Sequence, residues 1–231
     1  MLQPRRAQAL TTLALALLLI PTAAAFAHDV AQSDKAFVSG VTGPAIPQFL
    51  YLGAKHMVTG YDHIAFLVGV VFYLRRLKDV LLYVSLFTLG HSITLLAGVL
   101  LGISVNAFLI DAIIGLSVVY KGAENIGAFK RIGWKFDPRW AVLVFGLFHG
   151  LGLATKVQDL EMSSNGLLVN LVSFNVGVEL GQGIVLTIVM LTLGAWRESA
   201  NFRRYAFAAN VGLILVGLAL TFYQIMGYFG S

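Results

Sequence analysis

Long apolar runs separated by short polar and basic connections recur along nearly the whole chain. Beyond residue 45, six segments are long enough, or nearly so, to cross a bilayer, since one span requires about 20 residues. These segments lie at roughly 48–74, 79–101, 105–121, 140–156, 167–196 and 205–228. No connection is long enough to bury the core of a soluble domain. The pattern predicts an all-α, polytopic membrane protein, a bundle of six transmembrane helices within residues 28–231.

The first 27 residues have the form of a secretory signal peptide. Arg5 and Arg6 precede an apolar run at 10–20, and small residues follow as far as Ala27. Cleavage after Ala27 would make His28 the mature N-terminus, where an amine and an imidazole are both available to a metal. Two other interpretations stay open: the cleavage site falls before a histidine by coincidence, or the segment is an uncleaved first span.

Basic residues concentrate in every second connection. Eleven of the 14 Lys and Arg that remain without the signal peptide lie there. They are Arg75, Arg76, Lys78, Lys121, Lys130, Arg131, Lys135, Arg139, Arg197, Arg203 and Arg204. Short basic connections face the cytoplasm. The sequence therefore predicts a multi-pass protein of the inner (cytoplasmic) membrane with both mature termini outside, and the signal peptide independently requires the same orientation.

Composition limits the chemistry that this bundle can carry. The chain is 58% hydrophobic and 12% charged, with a formal net charge of +5. Because the basic residues lie in short connections and form no continuous stripe, topology explains them and a nucleic-acid partner is not expected. The absence of cysteine excludes disulfides, thiolate ligands and a cysteine nucleophile. Any metal must be bound through nitrogen and oxygen, and without a P-loop no direct nucleotide hydrolysis is expected.

Three ionisable residues enter the otherwise apolar first span. His56 and His63 are seven positions apart, so on a continuous helix they share one face. Asp62 points about 100° away from His63 and could orient an imidazole or serve as a ligand. Gly60 could break the helix here and bring the three side chains closer together. Such residues are costly in a membrane and indicate a functional site, although hydrogen-bonded packing histidines remain the simpler alternative.

Other ionisable residues are predicted at a similar depth. At about 1.5 Å per helical residue from the basic connections, Asp62, His91, Asp111 and His149 lie about 15–20 Å into a hydrocarbon core about 30 Å thick. Glu179 lies deeper, at about 27 Å. The depths predict one metal site that opens to the outside, with Asp111 near its edge in a supporting role.

The fifth span carries Asn175, Glu179 and Gln182 at i, i+4 and i+7, on one face of a helix. A carboxylate between two carboxamides requires a cation or a proton in the membrane, so Glu179 is a candidate ligand with Asn175 and Gln182 beside it. The alternative is a polar seam that joins helices. Glu124 is expected to pair with Lys121 at the inner end of the third span.

This donor set of imidazoles and carboxylates without thiols suits a borderline divalent cation, Ni, Co, Zn or Cu. Three motifs then show a resemblance: H-x5-D-H at 56–63, F-G-x-x-H-G at 145–150 and N-x-G-V-E-x-G-Q at 175–182. Together they resemble the HupE/UreJ family of hydrogenase and urease accessory membrane proteins, over most of the mature chain. There is a weaker likeness to the nickel/cobalt permeases, whose first motif is one residue shorter.

The resemblance implies a six-span nickel or cobalt uptake facilitator. It implies that His56, Asp62 and His63 match the first metal motif and His149 the later one, and that metalloenzyme maturation proteins are partners. The chain departs from the hydrogenase-linked members directly after the later motif. Where they carry a further His and a Glu, this chain has 153–156, read L-A-T-K.

The residues leave three functions open, and transport without enzymatic activity ranks first. A permease or accessory protein would capture a divalent metal outside and pass it inward. An intramembrane zinc-type hydrolase would use the same ligands with Glu179 as general base. A metal-sensing or assembly subunit would bind without moving the ion. Partners beyond lipid and the cation, and the oligomeric state, are not determined by the sequence.

Overall fold

A computed structural model describes residues 37–134, 136–158 and 163–230, and within these ranges the chain is helical without a strand. The predicted signal peptide and His28 lie outside the described residues. Residues 37–40 form a short helical segment. The other helices are α1 (Ile46–Thr59), α2 (Tyr61–Val71), α3 (Leu77–Leu101), α4 (Ala107–Asn125), α5 (Ala128–Arg131), α6 (Pro138–Gln158), α7 (Leu167–Glu198) and α8 (Asn201–Gly230). The predicted all-α class is confirmed.

Among the described helices, α3, α6, α7 and α8 are long and apolar enough to cross a membrane. The 19-residue α4 coincides with the third predicted span but carries Asp111, Lys121 and Glu124. The first predicted span is divided between α1 and α2, of 14 and 11 residues. Four spans therefore follow from length and composition, and six remain a prediction.

Gly60 divides the first predicted span. Its φ of −74° and ψ of 98° are extended, so α1 ends at Thr59 and α2 begins at Tyr61. Its N–H donates to His56 O at 3.0 Å and its carbonyl accepts from Ile64 N at 3.0 Å, so hydrogen bonding continues through the break. The break expected at Gly60 is thus present. It places Asp62 and His63, in the first turn of α2, within the bundle.

The helices pack chiefly in three pairs: α1 with α7, α3 with α6, and α4 with α8. Each pair has glycines at the contact, where a Cβ would collide with the facing backbone. Examples are Gly177 against Leu50, Gly146 against Phe87, and Gly217 against Gly115. Small residues permit this approach, because helices in lipid associate through close packing and not through hydrophobic burial.

We call the end of the bundle formed by residues 72–78, 121–139 and 197–204 the basic end. Arg197 Nε donates to Phe72 O at 3.1 Å, and its guanidinium also donates to Val71 O, so it satisfies carbonyls at the C-terminus of α2. Asn125 Nδ2 donates to Gly69 O at 2.9 Å and to Asn210 Oδ1 at 2.8 Å. These bonds fix α2, α4, α7 and α8 to one another below the Gly60 break.

Candidate metal centre

Three buried residues bring metal-ligating atoms together at the Gly60 break. Asp62, His63 and His149 each offer one such atom, and these atoms lie within 4.8 Å of one another. Their residues are 4%, 5% and 2% exposed. Asp62 and His63 come from the first turn of α2 and His149 from the middle of α6. The break in one helix therefore directs two ligands toward a third on another helix.

Asp62 orients the ring of His63. Asp62 Oδ1 lies 2.9 Å from His63 Nδ1 and also accepts the backbone N–H of His63 at 2.9 Å. With Nδ1 carrying the proton in this bond, Nε2 keeps its lone pair, and Nε2 is buried with no hydrogen-bond partner. A histidine held through one nitrogen with the other free is the arrangement that metal sites use.

His149 has the same arrangement with a backbone acceptor. Its Nδ1 lies 2.7 Å from the carbonyl oxygen of Phe145, one turn earlier in α6, and its Nε2 is buried without a hydrogen-bond partner. Two imidazoles on different helices thus have their outer nitrogens bonded and their Nε2 atoms available. Buried polar atoms normally find partners, so this pair indicates that a ligand completes the site.

Two further histidines surround His63. The centroid of its ring lies 4.8 Å from that of His149, 5.1 Å from His56 and 6.5 Å from His91. His91, on α3, is 1% exposed, and both of its ring nitrogens are buried. His56 lies near the end of α1. We call Asp62 and these four histidines the histidine cluster; it draws on α1, α2, α3 and α6.

Three phenylalanines close the cluster on the side of the basic end. Phe66, Phe87 and Phe145 each lie three or four residues nearer that end than the histidine on the same helix. Ring centroids of Phe66 and Phe87 are 5.3 Å apart, and those of Phe66 and Phe145 are 6.0 Å apart. Phe87 also contacts His149 at 4.8 Å. We call these three rings the phenylalanine floor. It excludes water and lowers the dielectric below the cluster, which strengthens electrostatic interactions there.

Asn175 and Gln182 are buried on α7 and bond to hydroxyls of α3. Ser92 Oγ donates to Asn175 Oδ1 at 3.3 Å and Thr88 Oγ1 donates to Gln182 Oε1 at 2.8 Å. The amide nitrogens of Asn175 and Gln182 have no hydrogen-bond partner among the described residues. Thr88 lies three residues before His91 on α3, and Ser92 follows it directly, so the two amides border the cluster. These two bonds join α3 to α7.

The structure does not bring Glu179 or Asp111 into the group of three converging ligands. Glu179 is exposed, although Asn175 and Gln182 on the same helix are buried. Asp111, 6% exposed, is bonded by Lys156 Nζ at 2.8 and 3.0 Å. Ligand or supporting roles for both residues stay predictions. The pairing expected between Lys121 and Glu124 is present, at 2.5 Å.

Two supporting features had no signal in the sequence. The acceptor for His149 is the carbonyl of Phe145, and a backbone atom has no residue type to reveal it. The phenylalanine floor consists of common membrane residues whose convergence depends on which helices are neighbours. Only the spacing of three or four residues between each phenylalanine and its histidine was visible in the sequence.

The donor set fits a borderline divalent cation. Two ligand atoms of one metal, each at about 2.1 Å, lie at most about 4.2 Å apart, and the three residues offer atoms within 4.8 Å of one another. Neutral imidazole nitrogen with one carboxylate oxygen suits Ni, Co, Zn or Cu better than Mg or Ca, which require more oxygen. The two free Nε2 atoms supply the lone pairs.

Comparison with known proteins identifies one family. A family model described as HupE / UreJ protein matches residues 32–229, which include the whole histidine cluster. Neither the curated proteins nor the solved structures contain a match to the chain.

Proposed function

The chain belongs to the HupE/UreJ family, and we propose that it is a membrane permease or accessory protein that binds a divalent transition metal, nickel or cobalt, as its cargo. Family membership and the long apolar helices make it a multi-pass membrane protein. One observation carries the proposal: the ligand atoms of Asp62, His63 and His149 lie within 4.8 Å of one another in the bundle interior.

The charge of the cluster supports a cation as its ligand. Asp62 is a carboxylate at 4% exposure, and a buried carboxylate is costly unless its charge is compensated. It lies in the first turn of α2, where the helix dipole favours a negative charge, and a divalent cation would add to this compensation. The carboxylate would offset part of the charge of the cation and the imidazoles would supply neutral nitrogen ligands. No thiolate is needed, in agreement with the chain's lack of cysteine.

We further propose six spans, with α1 and α2 forming one interrupted span and α4 another. The basic end then faces the cytoplasm, in agreement with the positive-inside rule. The phenylalanine floor lies between the histidine cluster and the basic end, so the cluster belongs to the outer half of the bundle. The arrangement fits capture of the metal from the outside, and the location proposed is the inner membrane.

The residues of the cluster have separate tasks in this proposal. His63 and His149 present Nε2, while Asp62 and the carbonyl of Phe145 hold their rings in place through Nδ1. His56 and His91 flank His63 and offer positions to which the ion can shift. The phenylalanine floor prevents passage to the basic end in the observed conformation. Delivery to metalloenzyme maturation proteins is part of the proposal.

A hydrolase would need a general base next to the metal. Glu179 was the candidate, and it is exposed on α7 outside the three converging ligands. No feature of the described residues favours hydrolysis over binding and transport.

Nickel binding and nickel uptake test the proposal together. Purified protein in detergent is titrated with Ni²⁺ in a calorimeter, and cells expressing each variant are assayed for nickel accumulation. We expect wild type to bind and accumulate nickel, and both His63→Ala and His149→Ala to lose both properties. Thr187→Ala is the control, because its exposed hydroxyl bonds only to Gly183 O of its own helix. Wild-type protein that binds neither nickel nor cobalt would refute the proposal, and binding without uptake would assign an accessory role.

A further inference from the structure

Lys121 is buried within the bundle, although the sequence places it at the edge of a cytoplasmic connection. It is 3% exposed. Its Nζ donates to Glu124 Oε2 at 2.5 Å and lies 5.9 Å from the centroid of the Tyr83 ring. Gly69 on α2 admits it, because a Cβ at Gly69 would lie 3.1 Å from Lys121 Cβ. The lysine side chain therefore lies between α2 and α3, with its ammonium near Tyr83 and Glu124.

Lys121 lies directly beyond the phenylalanine floor on the way from the histidine cluster to the basic end. Tyr120, its neighbour in α4, has its ring centroid 5.4 Å from that of Phe145 in the floor. Gly69 is six residues beyond His63 on α2, and Tyr83 is eight residues nearer the basic end than His91 on α3. The same helices that hold the cluster thus enclose an ammonium group about two turns below it.

Glu124 connects this buried ammonium to a cavity at the basic end. The cavity has a volume of about 270 Å³ and is lined by Tyr120, Glu124, Phe129, Lys130, Trp134, Phe136 and Pro138. Glu124 has 26% of its side chain exposed, whereas the side chain of Lys121 is 4% exposed. The carboxylate therefore faces the cavity and holds the ammonium on its other side.

We propose that Lys121 and Glu124 form an inner gate for a divalent cation, with Lys121 as the barrier and Glu124 as the exit ligand at the cavity. The proposal rests on the metal transport proposed above. In the closed gate the ammonium occupies the carboxylate. For release, Lys121 moves away from Glu124, and the cation takes its place before it enters the cavity.

Electrostatics gives the barrier its strength. A divalent cation that approaches an ammonium in surroundings of low dielectric is repelled by several times the thermal energy, and the partner carboxylate offsets only part of this. Burying a lysine that is paired with only one carboxylate also lowers the stability of the fold, so a stabilising role does not explain its position. The same pair gives the bundle the acidic residue below the floor that a transport path requires.

The test measures the flux of Ni²⁺ into liposomes that contain the full-length protein and a nickel-sensitive dye. Lys121→Met keeps the length of the side chain and removes its charge. We expect its initial flux to rise by about tenfold or more, equivalent to at least about 1.4 kcal/mol of barrier. Binding of Ni²⁺ in detergent should remain unchanged, because the histidine cluster is untouched.

Two more variants separate the gate from other effects. Lys78→Met removes an exposed lysine of the basic end that does not line the cavity, and it should leave the flux at the wild-type value. The double variant Lys121→Met/Glu124→Gln avoids leaving a buried charge unpaired, and it should conduct less than Lys121→Met because the exit ligand is lost.

The outcomes distinguish the two proposals. Wild-type flux in Lys121→Met, combined with loss of flux in His63→Ala, would overturn the gate and leave the transport function standing. An equal rise in Lys78→Met would also overturn it, because the loss of any surface charge at the basic end would then be the cause. Failure of wild type to bind or to move Ni²⁺ would refute the transport function itself.

Discussion

Replacing Gly60 with alanine should weaken metal binding without unfolding the bundle. The φ of −74° and ψ of 98° at Gly60 are accessible to alanine, so the backbone is not strained by the change. The new Cβ, however, would lie 2.8 Å from His63 Nδ1 and 3.2 Å from Asp62 Oδ1. Gly60→Ala therefore acts on the bond that orients His63.

The magnitude follows from these distances. Ordinary contacts of a Cβ begin near 3.4 Å, so the His63 ring must move by about 0.6 Å. A ring that moves away from Asp62 would lengthen the bond from Asp62 Oδ1 to His63 Nδ1, now 2.9 Å, to at most about 3.5 Å, beyond the range of a normal hydrogen bond. Loss of such a supporting bond lowers metal affinity by about 10–100-fold. The corresponding free energy is about 1.4–2.7 kcal/mol.

Calorimetric titration of purified protein with Ni²⁺ checks this prediction, alongside thermal unfolding in the same detergent. Gly212→Ala is the control, because a Cβ at Gly212 meets nothing within 4 Å. We expect weaker binding with unchanged unfolding temperature for Gly60→Ala, and neither change for Gly212→Ala. Wild-type affinity in Gly60→Ala would refute the assignment of Asp62 as the residue that orients His63.

Two further predictions concern helix contacts. Lys156→Met leaves the buried carboxylate of Asp111 unpaired, so we expect a loss of about 3 kcal/mol in the free energy of unfolding. The double variant Asp111→Asn/Lys156→Met should recover this stability. Denaturant unfolding in detergent measures both, and equal stability of the single and double variants would contradict the prediction. Gly146→Leu forces α6 away from the backbone of Phe87, so we expect loss of monodisperse protein on size exclusion, whereas Gly194→Leu, with open space around it, should be tolerated.

Much of the histidine cluster could be predicted from the sequence, because the number of residues between a side chain and the nearest basic connection gives its depth in the bilayer. Counting residues from the basic connections placed His91 and His149 at the level of Asp62 and His63, although they lie on different helices. The structure brings these side chains together and also contains the break expected at Gly60. Their role as ligands stays a prediction that metal titration tests.

The other features of the site could not be predicted from the sequence. They depend on which helices are neighbours and on rotations around a helix axis that are smaller than the width of one helix face. Glu179 lies 40° from Asn175 around α7, and this is enough to move it from the buried face to the exposed one. Asp111 lies opposite Lys156 because α4 contacts α6, and apolar spacing does not encode that contact. Lys121 resembled a connection residue, but α4 extends beyond it to Asn125.

The three helix pairs also constrain the order in which the protein can be assembled. Each pair joins a helix that is synthesised earlier to one that is synthesised later, because α1 packs with α7, α3 with α6 and α4 with α8. During synthesis the glycine face of α4 therefore has no partner until the last helix leaves the ribosome. Pairing between helices so far apart in the chain slows folding, because the distant partner must be synthesised first. A chain that ends before α8 would keep the bond from Asn125 to Gly69 O but lose the one to Asn210, so α4 can pair with α8 only after translation has passed α8.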